Sequence, residues 1–140
     1  MVRVSEAKAK ELALIARETR KNAHAPYSGF HVGSALLTSD DKIYTGCNVE
    51  NSSYSLTNCA ERTAIFKAIS EGESKFKAIA VASDSPDFLP PCGACRQVIA
   101  DICGNIDVVM IDEEDSLKIL SISELLPLAF SGDQIKPEGK

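Results

Sequence analysis

The stretch FKAIAVASD, Phe76–Asp84, decides the fold. It is a short apolar run rich in Ala, Ile and Val, the pattern of a strand buried on both faces. Such a strand needs covering layers, and the flanking sequence offers helices. Upstream, the helix expected from about Cys59 to Ser70 is stopped by Gly72. Downstream, a loop containing Pro86, Pro90 and Pro91 leads into CGACRQVIADIC, which predicts a third long helix.

Farther out, residues from about Glu6 to Asn22 read as an amphipathic helix with Leu12, Ile15, Ala16 and Thr19 on one face and Ser5 as N-cap. AHAPYSGF breaks it with Pro26 and Gly29. HVGSALLTS and KIYTGCNV read as two strands joined at Asp40 and Asp41. IDVVMI and LKILSI supply the fourth and fifth strands, and Ser123 is expected to cap a short helix before Pro127. The order αββαβαββα implies an α/β domain whose later strands join through helices. Residues 1–140 are expected to form a single domain, with the last ten or so residues of the polar tail partly mobile.

The chain carries 15 Lys+Arg against 20 Asp+Glu, a formal net charge of −5. A polyanion binder concentrates basic charge, so extended nucleic acid is a poor expectation as ligand, whereas a small uncharged molecule is not excluded. The N-terminal stretch is charged throughout, and no apolar run approaches the ~18 residues of a membrane span. A reducing, cytoplasmic location without membrane attachment is therefore expected. Five cysteines in such a place point to metal binding or catalysis more than to disulfides.

Three of those cysteines have meaningful spacing. Cys92 and Cys95 are three apart at the start of a helix, so both thiols can share one face. Cys59 opens the preceding helix, and in an α/β layer two helix N-termini can lie side by side, where the helix dipoles favour thiolate. Three thiolates suit one zinc per chain and leave a fourth tetrahedral position for water, whose pKa falls to ~7. Glu61 is then not needed as a ligand and stands where a carboxylate can pass a proton from water to substrate. Arg62, adjacent, can donate charge-assisted hydrogen bonds to sulfur and restore Lewis acidity to a site with net negative charge. Taken alone, C-x-x-C fits metal, redox chemistry or nothing, and Cys-x-Glu is weaker still. Their conjunction as C-A-E … P-C-x-x-C matches the zinc-deaminase signature. Cys47 and Cys103 read as small buried residues. His24 and His31 read as structural or surface residues, and Glu113, Glu114 and Asp115 as a solvated turn.

The stretches APYSGFHVGSALL, GCNVENSSY, CAERTAIFKA, PPCGACRQV and SELLPLAF together resemble the homotetrameric zinc-dependent cytidine deaminases over nearly the whole length. The resemblance implies a three-layer α/β/α sandwich around a mixed five-stranded sheet. It also implies hydrolytic deamination of cytidine and 2′-deoxycytidine to uridine and 2′-deoxyuridine, a step of pyrimidine salvage. By position it assigns zinc to Cys59, Cys92 and Cys95, the proton shuttle to Glu61, and hydrogen bonds to the thiolates to Arg62. Phe30 would line the pocket, Asn48 and Glu50 would bind the ribose, and the Ala60 backbone would meet the pyrimidine edge. Tyr54 and Phe130 match positions that complete a neighbouring subunit's site. Two other classes stay open on the residues alone: a redox dithiol at Cys92 and Cys95, and a closed structural zinc site with Cys47 as fourth ligand. Within deaminases, the alternatives are another base or drug and, less favoured without a basic stripe, a polynucleotide.

Overall fold

The computed structural model describes residues 4–135. Its helices are α1 (Glu6–Thr19), α2 (Ala60–Ser70), α3 (Gly93–Val98) and α4 (Ile122–Leu125). Its strands are β1 (Val32–Thr38), β2 (Ile43–Cys47), β3 (Phe76–Ser83), β4 (Asp107–Ile111) and β5 (Leu117–Ser121). The strands form one mixed sheet in the order β2-β1-β3-β4-β5. Only β3 and β4 run parallel, with Ala80 opposite Val109, because only that connection passes through a helix before returning to a neighbouring strand. The other three pairings are antiparallel.

The sheet is covered on both faces, the three-layer arrangement expected. On one side α1 packs Ala9, Leu12, Ala13 and Ala16 against Ala35, Leu37, Ala80 and Val109. On the other, Ala64, Ile65 and Ala68 of α2 and Ile99 beyond α3 pack against Leu36, Ile79 and Val108. This double cover explains why every residue of β1 is buried, although its sequence reads as half-buried alternation. Two glycines let the helices in. A Cβ on Gly33 would lie 1.9 Å from the Ala16 carbonyl oxygen, and one on Gly46 would lie 2.4 Å from the Ala60 carbonyl oxygen. Both helices therefore approach the sheet closer than any side chain permits.

Several local expectations change. Helix α1 ends at Thr19 and tightens into a 3₁₀ turn over Arg20–Asn22. Its buried stripe is Ala9, Leu12, Ala13 and Ala16, with Ile15 and Thr19 only half-buried, because small alanines allow the closest approach to β1. Ser5 caps it as expected, accepting from the Lys8 amide at 3.1 Å. The third long helix is six α-helical residues followed by a π-helical turn over Ile99–Cys103, ended by Gly104 at φ 78°. The cap of α4 is Ser121, not Ser123, in a reciprocal capping box with Glu124. The turn after β4 is not simply solvated, since Asp115 pairs with Arg17 across to α1. Of the tail expected to be mobile, Gly132–Gln134 forms a 3₁₀ turn and residues 136–140 lie outside the described residues.

Candidate active site

Helices α2 and α3 begin at the same end of the sheet, and a cysteine stands at each start. Cys59 is the N-cap of α2, with extended backbone at φ −73° and ψ 157°. Cys92 is the N-cap of α3, and its sulfur accepts from the Cys95 amide at 3.5 Å. The third thiol, Cys95, is buried within α3. All three sulfurs lie within 4.8 Å of one another, and Cys59 Sγ and Cys92 Sγ are 3.9 Å apart. Tetrahedral zinc with bonds of ~2.3 Å sets its sulfurs ~3.8 Å apart. The cluster therefore fits that ion in both donor type and spacing. Cys47 and Cys103 are not part of it, so the four-sulfur alternative does not assemble among the described residues.

Cys59 is electrostatically prepared to carry anionic sulfur. Arg62, one turn along α2 from Cys59, donates from Nη2 to Cys59 Sγ at 3.1 Å. Hydrogen bonding from Cys95 and then Arg62 pulls the Cys59 thiol down to about 5, against the opposing effect of burial. Cys95 is pushed upward by Cys59 and by burial. Glu61 is 4% exposed, and desolvation pushes its carboxyl up to about 7.

A cavity of about 210 Å³ opens beside these groups, lined by Val32, Asn48, Cys59, Ala60, Glu61 and Cys92 together with Leu89 and Pro90. An adjoining cleft of about 380 Å³ holds Tyr27, Ser28, Glu50 and Tyr54, and the two share Thr57. Asn48 builds the cavity wall with both ends of its amide. Its Oδ1 accepts from the Val32 amide at 2.9 Å, and its Nδ2 donates to the Phe30 carbonyl at 2.8 Å. Phe30 packs beside Val32, Ala60 and Leu89. Glu50 lies in the cleft, where its carboxylate accepts from the Tyr27 and Ser28 amides at 3.0 and 3.1 Å and from the Ser28 hydroxyl. The Ser28 hydroxyl is the chief reason its carboxyl sits below the usual range.

Two other residues of interest stand away from the cavity. Tyr54 is 75% exposed and meets the Tyr27 ring edge-on at 6.1 Å, and Phe130 is 56% exposed. Thr57, Leu89 and Pro90 line the cavity without having been singled out in the sequence. In the sequence Pro90 is legible only as loop punctuation. His31 is less bland than its surroundings suggest. Its Nδ1 and its amide both meet Asp84 Oδ2, at 2.7 and 2.8 Å, and join the loop bearing Phe30 to the end of β3.

Residues 6–111 match the family model described as the cytidine and deoxycytidylate deaminase zinc-binding region. The chain is 48% identical over 127 residues to a cytidine deaminase of Sporosarcina psychrophila, covering 90% of this chain and 93% of that one. It is 52% identical over 121 residues to a probable cytidine deaminase of Dictyostelium discoideum, covering 86% and 82%. The crystal structure of cytidine deaminase from Burkholderia pseudomallei aligns with a TM-score of 0.84 at 43% identity, covering 91% of this chain and 100% of that one. That of Mycobacterium tuberculosis aligns at 0.77 with 35% identity, covering 91% and 98%.

Proposed function

The chain belongs to the cytidine and deoxycytidylate deaminase zinc-binding family, and on that premise we propose that it deaminates free cytidine and 2′-deoxycytidine to the corresponding uridines, in cytoplasmic pyrimidine salvage. The observation that carries the proposal is the placement of buried Glu61 on the wall of a cavity that Cys59 and Cys92 also line, with Cys95 completing their metal-spaced thiol cluster. Three ligands define an open site, whereas a closed structural site uses four.

Cys59, Cys92 and Cys95 would hold the zinc, which supplies the Lewis acidity that makes water ionise near pH 7. Arg62 draws charge from the Cys59 sulfur and keeps that acidity from being quenched by three thiolates. Glu61 takes a proton from the attacking water and delivers it to N3 of the base as oxygen bonds to C4. It then carries the second proton to the amine, which departs as ammonia. The backbone at Ala60 would meet the pyrimidine edge, and Phe30 would back the base.

Asn48 and Glu50 are the proposed ribose contacts. Both already have protein partners, so they are pre-positioned and would offer remaining lone pairs to the sugar hydroxyls. The cavity of about 210 Å³ adjoins a cleft of about 380 Å³ in which Tyr54 is exposed. Leu128 and Phe130 meanwhile stand exposed. We therefore propose a homotetramer of single-domain chains in which Tyr54 and Phe130 complete a neighbour's site.

Cytidine turnover, followed by loss of the cytosine absorbance and by ammonia release, tests the proposal on protein of measured zinc content. Zinc-dependent formation of uridine is expected. Full activity in rigorously zinc-free protein, or no turnover by zinc-replete protein, would overturn it.

A further inference from the structure

The two residues that follow Cys95 on α3 reach to opposite ends of one irregular segment. Arg96 donates from Nη1 to the Leu125 carbonyl at 2.9 Å, and Gln97 donates from Nε2 to the Phe130 carbonyl at 2.9 Å. Arg96 also donates from Nε to the Pro91 carbonyl at 2.8 Å, immediately before the thiol of Cys92. Between Leu125 and Phe130 the chain is neither helix nor strand. It turns through Leu128, which is fully exposed and has φ 53°. A leucine in that left-handed conformation persists only where its surroundings over-determine it.

We propose that Arg96 and Gln97 are positioning residues that fix the Phe130-bearing segment to the metal-binding helix. Helix α3 is a suitable base, since Cys92 and Cys95 anchor its first turn in the thiol cluster and Ile99 is buried in the core just beyond it. Consecutive side chains on such a base hold carbonyls five residues apart, which sets both the origin and the end of the turn. The aromatic ring of Phe130 is thereby presented outward from the same helix that supplies two thiols to its own chain's site. The consequence for catalysis rests on the proposal that Phe130 completes a neighbouring site, whereas the tether itself does not.

Gln97 is the residue to change, because Arg96 is bonded to two backbone carbonyls and its loss endangers the fold. The sequence contains no tryptophan, so Phe130→Trp places a single indole reporter on the segment. In zinc-replete protein, adding Gln97→Ala should lower the fluorescence anisotropy of that reporter, and Gln97→Glu, which keeps size but lacks the donor, should do the same. In the otherwise unaltered chain, Gln97→Ala should raise KM for cytidine by about twofold to tenfold, the range for one neutral hydrogen bond. Zinc content and kcat should stay within about twofold of the parent, and the KM effect should vanish in a Phe130→Ala background. Unchanged anisotropy, or a KM effect that adds in full to that of Phe130→Ala, would overturn the proposal. If Phe130→Ala itself leaves KM unaltered, the shared-site reading fails and the anisotropy alone decides the tether.

Discussion

Adding one methyl group at Gly46 should displace the start of α2 without altering any residue that lines the cavity. The Cβ would fall 2.4 Å from both the Ala60 carbonyl oxygen and the Ala64 amide nitrogen, where ordinary contact begins near 3.4 Å. Both obstacles are helix backbone, so relief requires α2 to retreat by about 1 Å, and a misplacement of that size costs ~10²-fold in rate when it reaches reacting groups. Cys59, Ala60 and Glu61 lie at the displaced end. Overpacking of this kind costs ~1–3 kcal/mol, or a fall in Tm of roughly 3–10 °C for a chain of this size. Gly33→Ala is the comparison, since its Cβ would lie 1.9 Å from the Ala16 carbonyl oxygen of α1, on the face of the sheet opposite α2. Steady-state kinetics on zinc-replete protein, with thermal melts, separates the two. Gly46→Ala should lose kcat well beyond its loss of folded protein, while Gly33→Ala should lose stability and retain most of its kcat per folded molecule. Unimpaired kcat in Gly46→Ala would refute the claim that helix–sheet distance positions the site.

Other perturbations follow from individual contacts. Arg62→Gln removes the charge-assisted bond at 3.1 Å to Cys59 and should lower kcat by about tenfold with zinc largely retained; metal analysis alongside kinetics checks it. Asp84 resists the upward push of desolvation because the His31 side chain and amide, with Arg20, hold its carboxyl below the usual range. That contribution to stability is present above the unfolded value of ~3.9 and is lost as pH falls through the lower folded value. Asp84→Asn should therefore lie below the parent in Tm near neutral pH and converge with it in acid, and a constant gap would contradict the assignment. Chains carrying Phe130→Ala mixed with chains carrying Glu61→Ala should recover part of the activity each lacks, and sedimentation should give a mass near four chains. No rescue in verified mixed tetramers would rule out sharing between subunits.

Much of the site was legible because its chemistry is local. A cysteine at a helix start with a carboxylate two residues on, and C-x-x-C at the next helix start, depend on helix geometry that the sequence itself determines. The buried strand Phe76–Ser83 was legible for the same reason, since a run of small apolar residues has no polar face to expose. The full burial of β1 was not, because Gly33 and Ser34 interrupt its pattern and what covers them is a distant helix. Ser34 is buried with its hydroxyl bonded to the Ala80 carbonyl, a partner 46 residues away. The capping box Ser121–Glu124 was visible in S-I-S-E, yet Ser123 competes for the same role by type alone. No local signal marks the amide of Asn48 as a brace for Phe30 and Val32. The tie of His31 to Asp84 and that of Gln97 to Phe130 are equally non-local, created only when loops meet in space.

The central claim is that a carboxylate beside three zinc-holding thiols moves the protons of a hydrolytic deamination. Glu61→Gln tests it most directly, because the amide keeps the size of the side chain and loses the proton-accepting carboxylate. The measurement is kcat for cytidine in Glu61→Gln protein with zinc verified at one per chain. The account predicts a loss of about 10²-fold or more with the fold intact. Near-normal turnover at full zinc occupancy would contradict it.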